Sequence, residues 1–107
     1  MHSTIAQKKD RSMIKDKEND LEDELSLLHE EVNKMGLMMR GSITFMGKKN
    51  KQPYFSLGIK GKTKTMYLGN KRAELARVYT NNYKRMLEIV ERMTVINMAL
   101  LKSVKTK

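Results

Sequence analysis

The chain has no cysteine, and its two histidines, His2 and His29, are far apart in sequence. That excludes a disulfide framework, thiol chemistry and a structural zinc built from four Cys or His donors. No run of 18 apolar residues occurs, and residues 1–15 are polar and charged. Neither a membrane span nor a secretory leader is expected, so the reading is a cytosolic protein that does not engage a membrane. With 107 residues, 39% of them hydrophobic, the expectation is one domain with a small core. The most informative absence is that of acid. From Arg40 to Ala73 there are nine basic side chains and not one Asp or Glu.

The net charge of +10 is therefore unevenly spread: −3 over residues 1–39, +9 over 40–72 and +4 over 73–107. A lysine-rich composition, with 16 Lys against 6 Arg, could reflect genome bias, but bias does not explain why the acids vanish from one segment. Segregated charge of this kind points to a basic face that meets a polyanion.

Residues 1–15 show no sustained apolar periodicity and read as a disordered basic arm offering Lys8, Lys9 and Arg11. From Asp16 the pattern changes. Leu21, Leu25, Leu28, Val32 and Met35 recur at steps of four and three, which predicts an amphipathic helix over 16–36 with Gly36 as its stop. Its other faces are acidic, crowded toward the start where the helix dipole favours them. Three strands follow over 42–68: Ser42 to Met46, Pro53 to Ile59 and Thr63 to Leu68. Gly47 to Gln52 forms a lysine-rich turn between the first two, and Lys60-Gly61-Lys62 a tight turn between the others.

Alternation puts Phe55, Leu57 and Ile59 with Met66, Leu68, Ile43 and Phe45 on a buried face. The opposite face then shows Tyr54, Ser56, Gly58, Lys60, Thr63, Thr65 and Tyr67. With Asn70 as N-cap, a helix over 71–102 completes the chain. Its stripe runs through Leu75, Tyr79, Tyr83, Met86, Val90, Met93, Ile96 and Leu100, with Val78, Leu87, Ile89 and Val95 on an adjacent line. The fold class is thus α+β: an N-terminal acidic helix, a three-stranded antiparallel β-meander and a long C-terminal helix, with the two helices packed together. The long helix carries more apolar surface than the first helix can cover, which predicts a homodimer through it.

Several motifs dissolve on inspection. Gly61-Lys62-Thr63 is the end of a phosphate-binding P-loop, but Ser56 stands where its first glycine belongs and the context is a hairpin. Asp16, Glu18, Asp20, Glu22 and Glu24 imitate alternating calcium ligands, yet Leu21 replaces the required glycine, so they read as a solvated helix face. His29 reads as a surface residue and the methionines as adaptable packing. No acid is placed in sequence to activate a Ser or Lys nucleophile, so neither an enzyme nor a cofactor or metal site is expected.

What remains is a nucleic-acid site. Arg40, Lys48, Lys49, Lys51, Lys60, Lys62, Lys64 and Arg72 have the charge to neutralise phosphates and release counterions. Tyr54, Thr63, Thr65 and Tyr67 have rings and hydroxyls suited to bases, and Gly58 allows a backbone to approach closely. DNA is favoured over RNA as the partner. The alternative is a protein-interaction module, such as a phage-encoded inhibitor of a host nucleoprotein acting in anti-defence, supported by the apolar excess of the long helix and the acid of the first.

The order strand, lysine turn, strand, Gly-Lys turn, strand, helix is carried by Arg40-Gly41-Ser42-Ile43, Pro53-Tyr54-Phe55-Ser56-Leu57, Gly61-Lys62-Thr63-Lys64-Thr65 and Lys71 to Ala76. It resembles the arm-site DNA-binding domain of tyrosine recombinases. That resemblance implies a sheet in the major groove and base contacts from Tyr54, Ser56, Thr63, Thr65 and Tyr67. The wider pattern adds the acidic leucine helix, Tyr67-Leu68, Asn82-Tyr83-Lys84-Arg85 and Ile96-Asn97 followed by Leu100. It is similar to a family of short proteins, of no settled activity, that travel with transposons and phages, and so implies a phage or mobile-element setting. Many members carry a cysteine cluster between the first two strands. Gly47 to Gln52 occupies that place here, so the resemblance carries over no metal-dependent role.

Overall fold

The steps of three and four in the two apolar segments and the alternation between them become two helices, one before and one after a sheet in chain order. The computed structural model describes residues 2–106, with side chains from Lys15 to Thr106, in the order α1 (His2–Lys34), β1 (Ser42–Met46), β2 (Gln52–Ile59), β3 (Lys62–Tyr67) and α2 (Gly69–Leu101). The α+β class expected from the sequence is the fold observed. The basic arm expected over 1–15 falls, but for Lys15, outside the residues described with their side chains. Among the described residues, no helix is long and apolar enough to cross a membrane.

The chain forms two compact units, one of Met1–Lys34 with Ile89–Lys107 and the other of Met35–Glu88. In the helical unit, α1 packs against the last part of α2. Glu24 pairs with Arg92, while Lys17 and Leu21 share a cleft with Ala99 and Lys102, so the two segments run antiparallel. Leu28, Ile89 and Ile96 are buried, with Leu21, Leu25, Val32, Met93 and Leu100 half-buried around them. Burying Ile89 and Ile96 contributes about 1.5–3 kcal/mol each. The seam of α2 is therefore Ile89, Met93, Ile96 and Leu100, at steps of four, three and four. Val90, expected on the seam, is 49% exposed, because Ile89 continues the register that Met93 and Ile96 set.

A bidentate ion pair closes the side of this unit: Nε of Arg92 donates to Oε2 of Glu24, and Nη2 to Oε1 at 2.8 Å. Those hydrogen bonds, aided by the Arg92 charge, hold the Glu24 carboxyl below the usual carboxylate range, and Glu24 in turn raises Arg92.

In the sheet unit the strands lie in the order β1-β2-β3, all antiparallel. Lys60 (φ 49°) and Gly61 (φ 77°) form a two-residue loop in the conformation of a type I′ turn, which pairs Ile59 with Lys62 and sets the whole β2–β3 register. The start of α2 covers one face. Ala73 and Ala76 are small enough to bring the helix against Phe55 and Leu68, and Met39, Ile43 and Leu57 pack around that cluster. The buried face is narrower than expected. Phe45 (57% exposed) and Met66 (48%) lie outside the area that Ala73 and Ala76 cover.

The end of α1 and both ends of α2 differ from expectation by a residue or two, as helix ends often do, whereas α1 begins at His2, well ahead of the Asp16 expected. α1 stops at Lys34 rather than at Gly36, whose φ is not left-handed, and α2 begins at Gly69, ahead of Asn70. The segment between α1 and β1 is tied to α2 instead: Met39 N donates to Tyr79 O at 3.0 Å, and Asn82 Nδ2 to Leu37 O at 2.8 Å. Gly41 follows at φ 135°, where an added Cβ would lie 2.8 Å from the Ser56 carbonyl oxygen and 2.5 Å from the Phe55 ring.

Candidate nucleic-acid interface

Register determines which side chains share the open face of the sheet. Cross-strand partners point the same way, so the pairs Thr44–Tyr54–Tyr67, Ser42–Ser56–Thr65 and Gly58–Thr63 form successive rows on the face turned away from Phe55. Strand spacing makes this face about 10 Å across, and the eight residues of β2 make it about 24 Å long. Tyr54, Thr63, Thr65 and Tyr67, expected together, are together.

The Tyr54 and Tyr67 rings meet edge to face, with centroids 5.4 Å apart and planes at 70°. Tyr67 donates its hydroxyl to Oε1 of Gln52 at 3.4 Å, and the Thr44 and Ser56 hydroxyls lie 3.2 Å apart. Ser42, Thr44 and Gln52 thus belong to this face as well. The signal for them was present in the sequence, since Ser42 and Thr44 alternate with Ile43 and Phe45. At Gly58 an added Cβ would meet nothing within 4 Å, so the surface there is open down to the backbone.

The cations fall into three groups. Lys48, Lys49 and Lys51 occupy the exposed connection between β1 and β2, at one end of the face. At the other end stand Lys60, in the β2–β3 turn, and Arg40, whose Nη2 donates to Gly58 O at 3.1 Å. Lys62 and Lys64 do not join them. Lys64 pairs with Leu57 and Lys62 with Ile59, so both lie on the helix side of the exposed edge strand, opposite Thr63 and Thr65.

Arg72 lies on α2 and is held by the backbone. Leu68 N donates to Pro53 O at 3.0 Å, but Pro53 has no N–H to return, and Nε of Arg72 donates to Leu68 O at 2.9 Å in its place. Arg72 also borders an open apolar hollow of about 200 Å³, lined by Met39, Met66, Leu68, Leu75, Ala76 and Tyr79. No acid lines it.

Charge separates the two units more sharply than the sequence segments do. Residues 35–88 hold twelve basic and two acidic side chains, and the rest of the chain ten of each, so the full net charge of +10 belongs to the sheet unit. Its two acids, Glu74 and Glu88, are both on α2. The chemistry of the open face is therefore that of neutral rings and hydroxyls between two cationic ends. No family of known proteins, no curated protein and no solved structure matches this chain.

Proposed function

We propose that the open face of the sheet binds nucleic acid, with DNA as the first candidate and the phage or mobile-element setting that the sequence resemblance implies. The observation that carries this reading is the coincidence of the whole net charge with a sheet unit whose open face has no carboxylate and is cationic at both ends. In it, Lys48, Lys49, Lys51, Lys60 and Arg40 neutralise phosphates, while Tyr54, Tyr67, Thr63 and Thr65 lie nearer the bases. Lys62 and Lys64 act from the edge of β3 on flanking phosphates, and Arg72 acts chiefly by fixing the β3–α2 corner.

Fluorescence anisotropy against duplex DNA, single-stranded DNA and RNA over a salt series tests the reading. Affinity should fall with salt at a log–log slope of about −0.9 per duplex phosphate contacted. Changing Lys48, Lys49 and Lys51 together to Glu should lower duplex affinity by on the order of a hundredfold or more near 0.1 M salt, and the Lys62 and Lys64 pair by less. Binding that is undetectable at low salt, or insensitive to salt, overturns the reading.

A second reading draws on the apolar hollow beside Arg72, which suits docking of an acidic protein surface, as an inhibitor of a nucleoprotein would use it. Capture of the same partner before and after nuclease treatment separates the two, because a nucleic-acid bridge does not survive the nuclease.

A further inference from the structure

The helical unit carries a second apolar line that α1 does not cover. Val90, Thr94, Met98 and Leu101 follow one another at steps of four, four and three, roughly 125° around α2 from the Ile89–Ile96 seam. Val90, Met98 and Leu101 are 49%, 58% and 66% exposed. The one polar member is already satisfied, since Thr94 donates its hydroxyl to Val90 O within the helix at 2.7 Å. The line can therefore be taken out of water without stranding a donor.

We infer that this line is a self-association surface, on which a second copy of the chain lays the same segment of α2 antiparallel. The charges beside the line select the occupant and its direction. Glu91 and Lys102 stand eleven residues apart, about three helical turns, on the same flank of the line. The opposite flank over this length presents Asn97 and no charge, and Arg92 is engaged with Glu24 on α1.

In an antiparallel pair like flanks meet, whereas in a parallel pair opposite flanks meet. Only the antiparallel arrangement brings Glu91 toward Lys102 of the second copy, and Lys102 toward its Glu91. The same register sets Val90 across from Leu101 of the second copy and Thr94 across from its Met98, so the apolar layers and the ion pairs agree. The contact is isologous and closes after two copies, and with α1 from each it makes a four-helix arrangement. It is independent of what the sheet binds.

Sedimentation equilibrium of the full chain over a wide concentration range tests this, with circular dichroism confirming that each variant stays helical. The wild type should pass from monomer to dimer. Glu91→Lys and Lys102→Glu should each weaken the dimer by about tenfold, because each turns two attractive contacts repulsive. The double exchange, E91K with K102E, should restore it. A wild type that stays monomeric at its highest soluble concentration overturns the proposal, and so does a dimer whose double exchange is no tighter than the single variants.

Discussion

The helical unit balances ten basic against ten acidic residues, and the sheet unit sets twelve against two. The first buries Leu28, Ile89 and Ile96 along a continuous seam and ties its flank with the Glu24–Arg92 pair. The second closes a short cluster of Phe55, Leu68, Ala73 and Ala76, and leaves all six residues of β3 exposed. Charge balance and a long seam are what a stabilising element needs. The sheet unit carries its net charge of +10 over a small core, so self-repulsion works against its stability.

Four substitutions can break or sharpen this contrast. Ile96→Ala removes a side chain with no exposure and should cost about 2–4 kcal/mol. Amide hydrogen exchange should register that loss in α1 and the end of α2; an equal loss of protection across β1–β3 would mean that the units unfold as one. Gly41→Ala is its counterpart in the sheet unit, placing a Cβ against Phe55 and the Ser56 carbonyl at a positive φ, for about 2–3 kcal/mol. Its effect should fall on sheet amides, and on nucleic-acid affinity, before it reaches the helical unit.

Lys60→Asn is a smaller change in the other direction. It replaces a lysine at φ 49° with a residue that tolerates this region, and should raise the stability of the sheet unit by about 0.5–1 kcal/mol in a denaturant titration. If stability is unchanged, the turn adds no strain.

The smallest effect belongs to the exposed ion pair. Because Glu24 has a lower pKa folded than unfolded, its contribution is complete above the unfolded carboxylate value, near 4, and is lost as pH falls through the lowered folded value. Arg92, raised, stays charged throughout that window. Thermal melting of Glu24→Gln and wild type should therefore differ slightly at pH 7 and converge in acid. A difference that persists at low pH would assign the effect to packing.

Much of this was legible in the sequence. β1 spans Ser42–Met46 as its alternation predicts, and the two-residue loop at Lys60-Gly61 fixes which residues of β2 and β3 face together. The split among the lysines was also within reach, since Lys62 and Lys64 share parity with Met66. Grouping by charge alone hid it, because charge is a property of a segment, whereas facing is a property of each residue. Val90 and Ile89 could not be told apart in this way, as both fit a step of three or four from a neighbour.

By itself the sequence determined the element types, the two sheet faces and the segregation of charge, because alternation, helical period and ionisation are local properties of the chain. The tertiary structure decided which of two adjacent apolar lines on α2 meets α1, how far the α2 start covers the sheet, and that Arg72 completes the bond Pro53 cannot make. Those outcomes depend on groups distant in sequence meeting within a few ångströms, where packing and hydrogen-bond satisfaction select among arrangements that local pattern leaves equal.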